Sequence, residues 1–212
     1  MTSDPRTDDT AVVPPAEPAR RCFGDGDPLY EAYHDDEWGV PVHGESVLLE
    51  RIALEGFQSG LSWITVLRKR PAFREVFAGF DPARVATFGP DDVDRLLTDA
   101  RIIRNRMKIE ATIDNARAVV ALHESGRTLD ELFWPFAPDP AVRKRPATFG
   151  DVPGWTEESK AMSKAMKKQG FRFIGPTTAY AAMQACGLVD DHLATCPVVL
   201  GRARPAEPGA AT

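Results

Sequence analysis

Met107, Ile109, Ile113, Ala116, Val119, Val120 and Leu122 recur with the 3.6-residue period of a buried helix face, and the pattern stops at Gly126. No stretch of the chain alternates polar and apolar residues convincingly with period two, and no internal repeat is visible. A chain patterned this way has only helix faces to bury, so the expected fold class is all-α. Other helices announce their starts. Asp27-Pro28 reads as an N-cap followed by proline at the first helical position, Asp81-Pro82 repeats the signal, and Pro90 is followed by Asp91 and Asp92 at the positive end of a helix dipole. Val47, Leu48, Ile52 and Leu54 predict a helix that reaches Glu55 and weakens at Gly56. Thr156 opens a helix closed by Gly170, with Lys160, Lys164 and Lys168 on one face and Met162 and Met166 on another. Thr177 to Cys186 is apolar on nearly every side and is expected in the middle of the fold.

These patterned segments run from about residue 21 to 201, a length suited to one well-filled core. Residues 1–20 and 202–212 lack periodicity and are expected to be disordered tails, leaving a single domain over 21–201. The whole chain carries a net charge of −5. The first tail holds four acids and two bases and the second two bases and one acid, so residues 21–201 stay at −4. That balance argues against broad adhesion to nucleic acid; any DNA contact needs a local basic face. No apolar run approaches the roughly 18 residues of a membrane span, and the N-terminus lacks the basic-then-apolar layout of a secretory signal, so a cytoplasmic protein without membrane contact is expected. Three cysteines in such a chain suit a metal site or buried thiols better than disulfides.

The cysteines and histidines fall into two pairs at opposite ends of the patterned region. Cys22 and His34 have eleven residues between them, and His192 and Cys196 have three. Two sulfurs and two nitrogens form the preferred tetrahedral set for structural zinc, and an i, i+4 spacing lets His192 and Cys196 face one ion from a single helical turn. Any one of the four read alone is better explained as a buried Cys or half-exposed His. The spacing is also not that of a standard finger: 157 residues separate the inner ligands, so the site would be a clasp joining the two ends of the domain. Such a clasp should stabilise the fold by several kcal/mol, because the ion binds only the folded chain. His34-Asp35-Asp36-Glu37 superficially suggests a ligand beside a carboxylate base, but four protein ligands leave no open position for catalytic water. Cys186, within the apolar segment, reads as core.

Several long motifs carry a resemblance. Asp27-Pro28-Leu29-Tyr30, Ala32-Tyr33-His34-Asp35, Glu37-Trp38-Gly39-Val40-Pro41, Leu54-Glu55-Gly56-Phe57-Gln58-Ser59-Gly60-Leu61-Ser62-Trp63-Ile64 and Met183-Gln184-Ala185-Cys186-Gly187-Leu188-Val189 resemble, in order from about Cys22 to Cys196, the 3-methyladenine DNA glycosylase I family. The resemblance implies a helix-hairpin-helix superfamily fold and a structural zinc held by Cys22, His34, His192 and Cys196, the set already reached from ligand types. It further implies that Glu55 recognises a flipped base and that Tyr33 and Trp63 form aromatic walls of its pocket. The partner would be double-stranded DNA containing alkylated bases; oligomeric state is left open by the sequence, a monomer being the simplest expectation.

The chemistry is consistent with those residue types. N3-alkylation puts positive charge on adenine and weakens its glycosidic bond, so a pocket suffices where attack on normal adenine would need stronger activation. The base must be turned out of the duplex, stacked on aromatic faces and read along its edge. Glu55 can accept from the exocyclic amino group, and Tyr33 and Trp63 offer π-faces to an electron-poor ring. Tyr30 and Phe23 are assigned to the same pocket. Phe23 follows Cys22 where the family often places a Trp one residue later, so it replaces or leaves open one wall, and Phe57 stands where some members carry a polar residue. Plain core packing for the aromatics, and a solvated helix end for Glu55, are the competing readings. Gln58, Gly60 and Leu61 are expected at the DNA, with Leu61 wedged into the gap left by the flipped base or, equally well, buried at the start of the next helix. Arg101, Arg104, Arg106 and Lys108, in a turn that matches the family's hairpin but lacks its glycine, are expected to meet phosphate. The Lys160, Lys164, Lys168 row is a second candidate, more often a solvated surface. No lysine in the pocket motifs can serve as a Schiff-base nucleophile, so base excision without strand cleavage is predicted. Two other classes fit less well: a non-catalytic damage-binding module held by zinc, and a small-molecule zinc hydrolase.

Overall fold

The computed structural model describes residues 20–139 and 141–203. The tails expected at 1–20 and 202–212 lie almost wholly outside the described residues. Among the described residues there are helices and no strands. Helix α1 spans Pro28–Asp36, and the Asp27 carboxylate caps it by accepting from the backbone of Leu29 and Tyr30. Helix α2 (Glu45–Gln58) is buried on every side from Leu48 to Phe57 and forms the centre of the molecule. It runs straight through Gly56, against which Phe173 packs, instead of weakening there. Helix α3 follows over Trp63–Val76.

The Asp81-Pro82 start yields only one turn, α4 (Pro82–Val85), because the apolar period does not continue. Helices α5 (Pro90–Thr98) and α6 (Arg106–Glu124) are joined by the short turn that contains Arg101 and Arg104, and Asn105 caps α6. Helix α7 (Leu129–Phe133) is followed by α8 (Glu157–Lys168) and α9 (Pro176–Ala185). The lysine row of α8 faces outward while Met162 and Met166 are fully buried. Helix α9 packs on α2 and α8, so the apolar segment shares the middle of the fold with α2.

The last helix, α10, spans Pro197–Ala203. His192 and Cys196 precede it in a turn and do not share the helical turn their spacing suggested. Pro197 explains this: a proline disfavours the helical conformation in the residue before it. No helix among the described residues is long and apolar enough to cross a membrane.

Candidate active site and metal centre

Helical spacing brings side chains three apart onto one face, and four elements use it to build a cleft. Helix α1 presents Tyr30 and Tyr33, α2 presents Glu55 and Gln58, and α9 presents Ala181 and Gln184, with Trp63 added by the first residue of α3. The cleft measures about 280 Å3 and is closed further by Phe23, Trp38, Phe149 and Val152. Tyr33 and Trp63 lie with ring centroids 5.2 Å apart, and Phe23 sits 4.9 Å from Tyr30. A larger cleft of about 400 Å3 between α5 and α6 holds Arg106, Arg117 and Arg172, but each is paired there with a carboxylate. It offers a single aromatic ring, Phe88, where the smaller cleft gathers several.

Glu55 is 6% exposed, and its carboxylate makes no hydrogen bond or ion pair among the described residues. Burial pushes its pKa up to about 8, only partly offset by the Arg51 guanidinium one turn earlier on α2. Nearby, the Trp63 indole N–H is also buried without a partner. Arg51 donates to Glu37 at 2.6 Å, and its guanidinium stands 5.8 Å from the Tyr33 ring centre. Gln184 is fixed differently: its amide donates to Asp191 at 2.8 Å, and the Tyr180 hydroxyl donates to the same carboxylate at 2.6 Å.

Cys22, His34 and Cys196 converge so that one donor atom of each lies within 4.8 Å of the others, all of them buried. His192 stands beside them with its ring 4.6 Å from that of His34, and its Nε2 meets the His34 carbonyl at 3.0 Å. The three-atom group therefore lacks the fourth predicted donor, although its ring is in the same corner. The donor set fits a thiophilic metal such as zinc. His34 is oriented as a ligand would be, its Nδ1 2.8 Å from Asp35, which Arg21 grips; His192 Nδ1 is likewise 2.7 Å from Asp190, which Arg145 grips, but its other nitrogen faces the His34 carbonyl. Burial pushes the pKa of Asp190 up, yet the hydrogen bonds from His192 and Arg145 outweigh it and the net shift is downward. Trp38 joins the two sites, with Phe23 5.0 Å from one side and His192 4.8 Å from another.

The residues expected at the DNA separate into groups. Gly60 has φ +85°, a backbone shape that favours glycine, and the turn it makes leaves Leu61 42% exposed and not buried against α3. Gln58 lines the cleft. Arg104 is exposed and unpaired among the described residues, whereas Arg101 pairs with Asp99 and Glu75, and Arg106 with Asp94. Lys108 departs from expectation. It is 9% exposed and turned inward, its ammonium donating to the carbonyls of Phe57 at 3.0 Å and Ser59 at 2.8 Å, so it does not reach out to phosphate.

The methyladenine glycosylase family profile matches residues 23–199. The chain belongs to the methyladenine glycosylase family. Among methyladenine glycosylase relatives, DNA-3-methyladenine glycosylase 1 of Escherichia coli (strain K12) is 49% identical over 170 residues, 80% of this chain and 91% of the relative. DNA-3-methyladenine glycosylase of Haemophilus influenzae is 47% identical over 169 residues, again 80% and 91%. A crystal structure of 3-methyladenine DNA glycosylase I superposes with a TM-score of 0.79 at 47% identity, covering 84% of this chain and 98% of that one. The Staphylococcus aureus 3-methyladenine DNA glycosylase I, described in terms of its recognition of 3-methyladenine, gives 0.77 at 34% identity, with 84% and 94% covered.

In this methyladenine glycosylase the acid and most of the aromatic wall were legible in the sequence, but Trp38, Phe149, Val152, Ala181 and Gln184 were not legible as lining residues. Trp38 and Gln184 lie inside motifs that carry the resemblance, yet nothing in those motifs marks them as lining. Phe149 and Val152 sit in an irregular stretch between α7 and α8, where no periodicity marks an inward-facing side chain.

Proposed function

We infer that this member of the family is a DNA-3-methyladenine glycosylase, which removes N3-alkylated adenine from double-stranded DNA by hydrolysing its N-glycosidic bond and leaves the strand uncut. The single observation that carries the reading is Glu55, a buried carboxyl group without a partner, set in an aromatic cleft within a chain matched to the family along its length. A buried unpaired acid destabilises a fold, so its retention points to a partner that arrives from outside. An alkylated adenine supplies both an amino N–H and a positive charge.

The residues then divide the work. Tyr33 and Trp63 offer ring faces, with Tyr30 and Phe23 completing the aromatic lining, and the Glu55 carboxylate accepts from the exocyclic amino group. Water attacks C1′ of the sugar, the C1′–N9 bond breaks with its electron pair passing to N9, and the proton of the attacking water passes to solvent. The departing base loses its positive charge in that step, so the chemistry needs no covalent intermediate. Leu61, presented by the Gly60 turn with Gln58 behind it, fills the gap in the duplex. Helices α5 and α6 with their turn serve as the helix-hairpin-helix unit, and Arg104, with Arg101 and Arg106 exchanging carboxylate partners, meets phosphate.

Cys22, His34 and Cys196, with His192 beside them, would hold a structural zinc, which would tie the two ends of the domain together. None of the four lines any of the described clefts. That seclusion favours a clasp over a hydrolytic centre that must admit substrate. In this reading one domain over residues 21–201 acts as a monomer in the cytoplasm. The test is chromatographic: wild type should release free 3-methyladenine from methylated DNA without nicking it, and Glu55→Gln should release little. Damage-selective binding with no released base would leave only a sensing module.

A further inference from the structure

Lys108 is the one cation of the α5–α6 region that the structure buries, and its two hydrogen bonds go to the end of a helix that carries the candidate catalytic acid. The last carbonyls of any α-helix have no partner within it and need one from outside. Helix α2 ends without a glycine cap: Ser59 stands at its C-cap with extended ψ, and Gly60 turns the chain only afterwards. Lysine near a helix C-terminus can satisfy those carbonyls and complement the negative end of the dipole. Burying an ammonium is costly, and burial draws the pKa of Lys108 down, so a surface lysine would be the easier solution were its task phosphate contact.

The bonded carbonyls bracket Gln58, where the turn begins in which Leu61 N donates to Gln58 O at 2.6 Å and Leu61 projects outward, and that of Ser59 lies within this turn. Lys108 also lies in the first turn of α6, where its own backbone N–H donates to the Asn105 cap that follows Arg104. One side chain thus connects the DNA-facing turn before α6 to the turn that displays Leu61.

We propose that Lys108 is a positioning residue for base flipping: by pinning the Phe57 and Ser59 carbonyls it holds the Leu61 turn at a fixed reach from the α5–α6 turn. The proposal rests on the reading of Leu61 as the wedge. Its effect belongs to extrusion of the base and not to recognition in the cleft, and extrusion costs least when the lesion has no pairing partner. Lys108→Met, Leu61→Ala, the double variant and Lys108→Gln are compared on two duplexes, one with the alkylated adenine opposite thymine and one with it opposite an abasic position. Binding of free 3-methyladenine, followed by tryptophan fluorescence, reports whether each variant retains a folded cleft.

For Lys108→Met, kcat/KM on the paired lesion should fall about tenfold or more, the scale of losing charged hydrogen bonds. On the unpaired lesion it should stay within roughly threefold of wild type, because little extrusion remains to be driven. Free-base binding should be unchanged, Lys108→Gln should recover part of the loss, and the double variant should be no worse than Leu61→Ala. Equal losses on both duplexes, loss of free-base binding, or no loss at all would overturn the proposal. If Leu61→Ala itself shows no dependence on pairing, the wedge reading falls; if it does and Lys108→Met does not, only the assignment of Lys108 falls.

Discussion

The cysteine–histidine corner and the aromatic cleft share a wall, Trp38, yet they treat polar groups in opposite ways. In the corner every histidine nitrogen has a partner, and each supporting aspartate is gripped in turn by an arginine. In the cleft the Trp63 indole N–H is buried without a partner, and the Glu55 carboxyl group, 6% exposed at the cleft wall, has no hydrogen-bond partner among the described residues. Satisfied polar groups hold a fold in place; unsatisfied ones are a strain that an incoming ligand can relieve. The contrast shows where this domain spends stability and where it recovers it.

The widest separation between the two regions should come from Cys196→Ser. It should abolish a metal content of about one zinc per chain by elemental analysis and lower stability by about 4 kcal/mol or more, seen as a drop in Tm of at least ~8 °C. An unchanged Tm would mean that the corner is held by packing alone. Glu55→Gln should do the reverse, cutting kcat/KM for 3-methyladenine release by roughly 100-fold or more, on the scale of losing a charged hydrogen bond to a desolvated partner, while zinc content stays at wild type. Asp190→Asn should weaken metal binding by about 10–100-fold in a chelator competition without changing ligand number.

The pH dependence sharpens the contrast further. With the free-protein pKa of Glu55 raised to about 8, and the carboxylate as the binding form, kcat/KM should rise about tenfold between pH 7 and pH 9 and lose that slope in Glu55→Gln. The smallest effect is on stability and has the opposite sign. A carboxyl group whose folded pKa lies above its unfolded value contributes stability below the unfolded value and forfeits it as pH rises through the folded one. Glu55→Gln should therefore raise Tm at pH 8 by about 2–4 °C, with less gain at pH 5. A fall in Tm would show that the carboxylate has a partner in solution.

Much of the helical scaffold was legible because caps are local: Asp27, Asp81 and Thr156 each accept from a backbone N–H two or three residues on. Residue type and pairing likewise singled out Cys22, His34 and Cys196, whose donor atoms converge as a group that could hold a metal, with the His192 ring beside them. Depth was harder to read. Whether Glu55 ends a solvated helix or lies under aromatic rings depends on α1 and α3 closing over it, contacts that no window around residue 55 contains. Lys108 failed for the same reason: two residues after Arg106 it looks like one more surface cation, and only the arrival of the α2 carbonyls, some fifty residues earlier in the chain, turns it inward. The turn at His192 and Cys196 was different, since Pro197 already argued in the sequence against a helix there.

The sharing of Trp38 has a consequence for synthesis. The backbone N–H of Leu193 donates to the Cys22 thiol, and the ring of His192 packs against the tryptophan that also touches Phe23. At roughly 5–20 residues added per second, on the order of 10–30 s separates the making of Cys22 from that of Cys196. Until then the nascent polypeptide has its acid and its first aromatic rings but not the buttress behind them, so the cleft is complete only once the segment around His192 and Cys196 has left the ribosome and docked onto the segment around Cys22.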